Sequence, residues 1–300
     1  MFKMVSGFRT SISEEERIRL KQAGMIFETK TGLFSCKIIT DSGVMDCERM
    51  QHVVHLSEQY GDGRLTFTED ECVMIQGISY ENTGAVLSYL RDYEMRAGGT
   101  GKRVRPVVSC EDAICDYSIY DVKDLGEKFQ ALFYHRLANE RMPGKLEIAL
   151  DGCPNNCSAS TQYDIGVHGV QVPLFNMRAC MGCMHCSVLE SCSKGAVTRD
   201  SHGIVIDEGK CSRCGECVKV CPYGTTSEST VGYRVYVGGR HGEANMIGRK
   251  LSRIFTTEES LFSVVDRIIF FYQEEGRNGE RLFDTIERIG FREMERRVLA

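Results

Sequence analysis

Several features that define common functional classes are missing from this chain of 300 residues. Acidic residues outnumber basic ones by 42 to 37, which leaves no basic excess for nucleic-acid binding. No apolar run approaches the length of about 18 residues that a membrane-spanning helix needs. The N-terminal residues 1–7 lack the long apolar segment and small-residue cleavage site of a secretory signal. We therefore expect a cytoplasmic protein with no nucleic-acid partner and no membrane span.

A nucleotide-cofactor motif is also missing. No Gly-x-Gly-x-x-Gly sequence follows a predicted strand, so the chain shows no flavin or nicotinamide fingerprint. If the chain carries electrons, we expect them to come from a separate electron-donor protein.

Cysteine, in contrast, is abundant. The chain has 15 cysteines, an odd number, and most of them fall into regular spacings. Disulfide-rich chains are typically small and secreted, whereas a chain of this length can bury a core without such cross-links. We therefore interpret the cysteines as metal ligands in a reducing compartment.

The most specific spacing is that of a bacterial ferredoxin, Cys211-x2-Cys214-x2-Cys217-x3-Cys221, followed by Pro222. A partner run with a longer last gap precedes it, Cys180-x2-Cys183-x2-Cys186-x5-Cys192. In ferredoxins of this type the fourth cysteine of each run ligates the other cluster. The rule predicts one [4Fe–4S] cluster on Cys180, Cys183, Cys186 and Cys221, and a second on Cys192, Cys211, Cys214 and Cys217. Zinc is the alternative, but zinc modules usually separate their Cys-x2-Cys pairs.

The remaining pattern is that of an α+β protein. Strands are predicted at 33–39, 65–68 and 72–78, and helices at 46–60 and 82–95, which is a ferredoxin-like order. Further strands are predicted at 104–108, 145–150 and 233–237. Further helices are predicted at 121–139, from a capping box at Thr256 to about 275, and at 280–289. Five residues of helix 121–139 are expected on one broad apolar face: Leu125, Phe129, Leu132, Phe133 and Leu137.

A third cysteine group has a different spacing, Cys110-x4-Cys115 and Cys153-x3-Cys157. Its surroundings resemble the nitrite/sulfite reductase family, most recognisably in residues 145–157 and in Tyr163-Asp-Ile-Gly166. The lead-in 101–110 and the segment Gly238-Gly-Arg240 are also similar. A ferredoxin module placed after the Cys-x3-Cys loop resembles the dissimilatory and anaerobic sulfite reductase subunits.

This resemblance implies a sirohaem coupled to a third [4Fe–4S] cluster. The cluster ligands would be Cys110, Cys115, Cys153 and Cys157, and Cys157 would bridge to the sirohaem. Because sirohaem is rich in carboxylates, its pocket needs Arg and Lys side chains. The candidates are Lys37, Arg103, Arg105, Lys145 and Arg240, of which Arg105 and Lys145 are the catalytic candidates because each precedes a cluster cysteine.

The resemblance also implies the domain organisation. We expect a ferredoxin-like reductase half-domain at 1–100, a sirohaem-type α/β domain at 101–174 and 227–300, and an inserted two-cluster ferredoxin module at 175–226. Because only one copy of the reductase half-repeat is visible, we expect a homo- or hetero-oligomer with another reductase-type subunit. The implied reaction is the reduction of sulfite or a related small anion such as nitrite.

Three positions differ from the family pattern. The first cysteine pair is one residue short, Asp70 stands where the family usually has an arginine, and Glu147 stands where it usually has a second lysine. Each difference removes or opposes positive charge near an expected anion. An electron-transfer or structural subunit with an empty or inert sirohaem site is therefore the alternative function.

Overall fold

The structure, a computed structural model, describes residues 12–201, 203–242 and 245–300. The N-terminal residues on which the secretory-signal prediction rests lie outside these ranges. The chain divides into two compact units, one formed by Met1–Val108 with Gln130–Leu146 and the other by Ser109–Phe129 with Glu147–Ala300. Within the described ranges, no helix is long and apolar enough to cross a membrane.

The first unit is built on a four-stranded antiparallel sheet in the order β1-β2-β4-β3. Its strands are β1 Met25–Phe27, β2 Phe34–Ile38, β3 Leu65–Phe67 and β4 Val73–Ile78. Its helices are α1 Glu14–Gln22, α2 Cys47–Tyr60 and α3 Thr83–Asp92. The predicted strands and helices of this region are confirmed within a few residues, and α2 begins after Asp46, whose side chain accepts from the Arg49 N–H. Helix α1 and strand β1 were not predicted from the sequence.

The second unit contains a five-stranded sheet in the order β11-β10-β7-β6-β5. The strands are β5 Val108–Ser109, β6 Ile148–Asp151, β7 Ile165–Leu174, β10 Glu228–Val237 and β11 Arg249–Phe255. Strands β6 and β7 are parallel, whereas β7, β10 and β11 pair antiparallel. The helices are α4 Val122–Phe129, α5 Ser187–Glu190, α6 Glu258–Glu275, α7 Leu282–Ile289 and α8 Phe291–Leu299, and a hairpin pairs β8 Val197–Asp200 with β9 Gly203–Ile206.

Some sequence predictions of this region were wrong in detail. The strand predicted at 104–108 is reduced to Val108–Ser109 with an isolated bridge from Val104 to Leu146, because Pro106 interrupts it and cannot donate to a ladder. A π-helix at Gln130–His135 follows α4, and the changed turn leaves Leu132 exposed.

The C-terminal helices also differ from the prediction. Thr257, not Thr256, caps α6, since its hydroxyl accepts from the Ser260 N–H at 3.2 Å. The predicted last helix ends at Gly290 as expected, but α8 follows it. Gly290 has φ +100°, and this left-handed turn lets the chain start a new helix immediately.

Candidate functional site

The two ferredoxin-type cysteine runs fold around two separate cavities. One cavity, of about 400 Å³, is called here the open cavity. A second, of about 20 Å³, is called the narrow cavity. The open cavity is lined by Cys180, Cys183, Cys186 and Cys221. The narrow cavity is lined by Cys192, Cys211, Cys214 and Cys217. Each cavity thus takes three cysteines from one run and the fourth from the other, in the grouping that the spacing predicts.

Local structure fixes these loops on the second unit. The Cys211–Cys217 loop is joined to β7, where the Gln171 N–H donates to the Arg213 carbonyl at 2.8 Å. Gly215 has φ +81°, and a Cβ there would lie 2.1 Å from the Gln171 Oε1, so this turn has no space for a side chain. Beneath the module, Val188, Val197 and Ile204 form a small buried core. The cysteines are therefore held on a packed scaffold.

The third cysteine group lies at the end of β6. The Cys110 N–H donates to the Leu150 carbonyl at 3.0 Å, and the Gly152 N–H donates to the Cys110 Sγ at 3.2 Å. Burial, together with Asp151, Cys157 and Cys153, raises the pKa of the Cys110 thiol to about 12, although the Gly152 N–H opposes the shift. Burial also raises the pKa of Cys153, and Cys115 and Cys157 add to this shift. Because screening weakens such charge effects beyond about 10 Å, the four thiols lie close to one another.

Three residues that the sequence analysis missed hold the Cys153–Cys157 loop. The buried carboxylate of Asp151 accepts from the Ser158 N–H at 2.9 Å and the Ser160 N–H at 3.2 Å. The Asn155 side-chain amide donates to the Cys157 Sγ at 3.1 Å. His168 is buried, and its Nε2 lies 3.1 Å from the Asn156 Oδ1.

His168 is neutral at physiological pH, because burial lowers its pKa to about 4. Asp151 was detectable in the sequence as a carboxylate that directly follows an apolar strand and precedes a ligand loop.

A third cavity, of about 420 Å³, connects the two kinds of cysteine loop. Its lining includes Cys153 and Asn155 from one loop and Cys214 and Glu216 from the other, with Lys194 between them. The third cysteine group and the narrow cavity are therefore neighbours in the second unit.

The described residues do not contain three His, Cys, Asp or Glu side chains placed to hold a single metal ion. A cubane cluster requires a different arrangement, since its thiolates surround four iron ions. Four cysteines line each of the two ferredoxin-type cavities, and four thiolates are the ligand set of one [4Fe–4S] cluster.

The basic candidates of the first unit are engaged by protein oxygens. Lys37 is buried, pairs with Asp70, and donates to the Gly99 carbonyl at 3.2 Å. Arg105 donates to the same carbonyl, and Arg103 donates to the Ala138 carbonyl at 2.7 Å. The fourth candidate of this unit, Lys145, is partly buried just before β6.

The second unit shows the same pairing. Arg240 lies 3.5 Å from the Asp284 carboxylate. Glu147 accepts from Arg281 at 2.8 Å, and the same guanidinium donates to the fully buried Asp164 at 2.8 Å. Lys37 and Arg240 are each paired to a carboxylate of the protein, so a polycarboxylate such as sirohaem would have to displace Asp70 and Asp284, whereas Arg103 donates to the neutral Ala138 carbonyl.

Two family profiles match the chain. The profile described as nitrite and sulphite reductase 4Fe-4S domain matches residues 100–300. The profile described as nitrite/sulfite reductase ferredoxin-like half domain matches residues 27–93.

Curated relatives and solved structures are similar over most of the chain. The coenzyme F420-dependent sulfite reductase of Methanocaldococcus jannaschii is 28% identical over 81% of this chain, which spans only 38% of that protein's length. The dissimilatory-type sulfite reductase subunit alpha of Allochromatium vinosum is 25% identical, covering 91% of this chain and 70% of that protein. The crystal structure of dissimilatory sulfite reductase I has a TM-score of 0.69 at 20% identity, covering 89% of this chain and 69% of that chain. The structure of Mycobacterium tuberculosis NirA has a TM-score of 0.62 at 14% identity, covering 96% and 48%, and at these identities both structures support the α+β fold alone.

Proposed function

Because the chain belongs to the nitrite and sulphite reductase family, we propose that it is an iron–sulfur oxidoreductase subunit. In this proposal it takes electrons from a separate donor protein and passes them towards a centre that reduces sulfite or a related small anion such as nitrite. The observation that carries the proposal is the pair of cavities, each lined by four cysteines drawn from both runs. Three [4Fe–4S] clusters held by the twelve cysteines would supply one-electron transfer.

The protein's own residues would position these groups. The β7 contact with Arg213 fixes the loop of the narrow cavity, and Asp151 fixes the loop of Cys153 and Cys157. The cavity shared by Cys153 and Cys214 places the two loops side by side, which supports transfer between them.

In the leading version of the proposal, the third cysteine group also adjoins a sirohaem, as the family resemblance implies. Cys157 would then be a ligand of this centre, and Lys37, Arg103, Arg105, Lys145 and Arg240 would bind the carboxylates of the cofactor or the anionic substrate. Lys145 and Arg105 are the candidate proton donors because each lies on a segment that leads to a cluster cysteine. Lys145 precedes Cys153, and Arg105 precedes Cys110. These roles stay predictions.

A second candidate keeps the clusters but not the sirohaem. The pairing of Lys37 with Asp70 and of Arg240 with Asp284 favours it, because both candidate cations are already neutralised. In this version the chain is an electron-transfer or structural subunit, and a partner subunit carries the reduction.

Anaerobic purification followed by iron analysis and a visible spectrum tests both versions. The proposal expects about 12 iron ions per chain, the content of three cubane clusters. Sirohaem absorption bands after incubation with the cofactor would support the leading version, and full iron content without these bands would support the second. Iron near zero after anaerobic cluster reconstitution, or zinc in its place, would contradict the proposal.

A further inference from the structure

The surface around the open cavity is unusually apolar for an exposed region. Met184 is 91% exposed, Met181 is 69% exposed and Tyr223 is 54% exposed. Met181 and Tyr223 line the cavity, and Met184 lies between its lining residues Cys183 and His185. Single exposed apolar residues are ordinary, but several around one cavity are typical of an interaction site, and flexible methionines are common at such surfaces.

The narrow cavity offers no comparable access. Its volume is about one-twentieth that of the open cavity, and Gln171 and Pro173 of β7 form part of its lining. Its lining also contains Glu216, whereas no Asp or Glu is among the residues that line the open cavity. Of the two cavities, the open cavity is therefore the more accessible to an approaching protein.

The charges around the open cavity are mainly positive. Arg199 lines it and donates to the Cys183 carbonyl at 2.7 Å, and Arg178 is exposed two residues before Cys180. An exposed carboxylate, Glu190, lies 3.7 Å from the ring nitrogen of the exposed His185. A negatively charged partner would be attracted to this rim, and such attraction raises association rates.

We propose that the apolar rim, defined as Met181, Met184 and Tyr223, together with Arg178 and Arg199, docks an acidic one-electron carrier protein of the ferredoxin type. This inference rests on the proposed function, because it identifies the electron donor and where it binds. Transient redox complexes bury less than about 1,200 Å² in total, so a few exposed side chains can form much of such an interface.

The test compares Met184→Glu with Met184→Leu in the anaerobically purified full chain. The probe is a plant-type [2Fe–2S] ferredoxin, reduced beforehand, and the readout is the second-order rate constant for the return of its own visible bands, which differ from those of the chain's [4Fe–4S] clusters, in a stopped-flow instrument. Because a glutamate adds a like charge facing an acidic carrier, we expect Met184→Glu to lower the rate constant by about tenfold, and Met184→Leu to change it by less than about twofold. Phe270→Glu, an exposed apolar position on α6 outside the cavity lining, is the matched control and should leave the rate unchanged.

A second variant and a small reductant distinguish an effect on ferredoxin docking from damage to the clusters. Arg178→Glu should slow reduction by ferredoxin chiefly at low salt, because screening at about 0.3 M ionic strength removes most of its effect. Reduction by the methyl viologen radical, which needs no docking surface, should stay the same in every variant.

The outcomes distinguish this inference from the proposed function. An iron-loaded Met184→Glu chain that ferredoxin reduces at the wild-type rate would overturn the docking surface alone. Equal slowing with ferredoxin and with viologen would also overturn it, because the substitution would then act on the cluster. A wild-type chain that takes up no iron would overturn the proposed function and this inference with it.

Discussion

At the scale of single residues, the sequence position that departs most from the family, Asp70, has a defined partner. Its carboxylate pairs with Lys37 and also accepts from the Thr68 hydroxyl at 2.6 Å. The lysine side chain is only 7% exposed, so the carboxylate acts as the counter-ion of a buried cation. The sequence predicted Lys37 and Asp70 separately, as a cofactor ligand and an opposing charge, because the pairing of a residue on β2 with one in the turn between β3 and β4 cannot be seen in a linear pattern.

Asp70→Asn should destabilise the first unit. Removing one partner leaves the buried Lys37 ammonium without its counter-ion, and since Asp70 itself is 26% exposed we expect a loss of about 1–3 kcal/mol, below the full cost of breaking a buried pair. Urea unfolding of the full chain measures it. Asp62→Asn is the control, because Asp62 is equally exposed but pairs with the largely exposed Arg64, and its loss should cost less than about 1 kcal/mol. Equal effects of the two substitutions would contradict this account of Lys37.

Asp164 gives a prediction of pH dependence. Burial raises its pKa from 3.8 to about 6, while the Arg281 guanidinium opposes the shift. Because the folded chain holds this proton at a pH where the unfolded chain has released it, Asp164 contributes stability at low pH that is lost as pH rises towards 6.

Between pH 5 and 7 the wild-type free energy of unfolding should therefore fall by about 1 kcal/mol more than that of Asp164→Asn. Unfolding curves at several pH values measure this difference, and Asp207→Asn, at an exposed position, should follow the wild type. If the wild type and Asp164→Asn keep a constant difference across this range, the raised pKa is wrong.

At the scale of elements, the Cys153–Cys157 loop depends on Asp151 at the end of β6. Its carboxylate satisfies two backbone N–H groups of the segment that follows Cys157. In Asp151→Ala the buried Ser160 N–H and the half-buried Ser158 N–H lose their acceptor, which costs about 1–3 kcal/mol for the buried donor and should release the loop.

We expect Asp151→Ala to lower the iron content from about 12 to about 8 per chain, because only the third cysteine group loses its cluster. Iron analysis with electron paramagnetic resonance would show the two ferredoxin-type signals retained. Asp121→Ala is the control, since Asp121 accepts the Asp124 N–H from an exposed position and should keep full iron content. Loss of all three signals would instead show that Asp151 supports the whole unit.

The elements that the sequence predicted well are those whose signal lies within one short segment of the chain. The helix beginning after Asp46 was found because its cap and its apolar spacing lie within one segment. The second half of β10 was found because residues 233–237 are aromatic or β-branched apart from Arg234. The strand expected at 104–108 and the position of Leu132 were wrong, because a proline and a π-helix change the local geometry without changing the apolar pattern. The basic candidates could not be assigned, because their partners lie far away in the sequence.

At the scale of the whole molecule, chain order and spatial grouping of the cysteines differ. Cys221 follows Cys217 by four residues, yet it lines the open cavity with Cys180. Cys192 belongs by sequence to the first run, yet it lines the narrow cavity with Cys211. The crossed rule for ferredoxins anticipated this arrangement from spacing alone, since ligand loops of this type fold as one unit.

Paired substitutions test the grouping directly. Cys180→Ala combined with Cys221→Ala removes two ligands of the same cavity, so the iron content should fall by about 4 per chain, no further than with either single substitution. Cys180→Ala combined with Cys192→Ala removes one ligand from each cavity, so it should fall by about 8. Both double variants remove the same number of thiols, which makes each the control for the other. The reverse pattern, a loss of about 8 for Cys180 with Cys221 and of about 4 for Cys180 with Cys192, would mean that each run holds its own cluster, and the crossed arrangement would then be wrong.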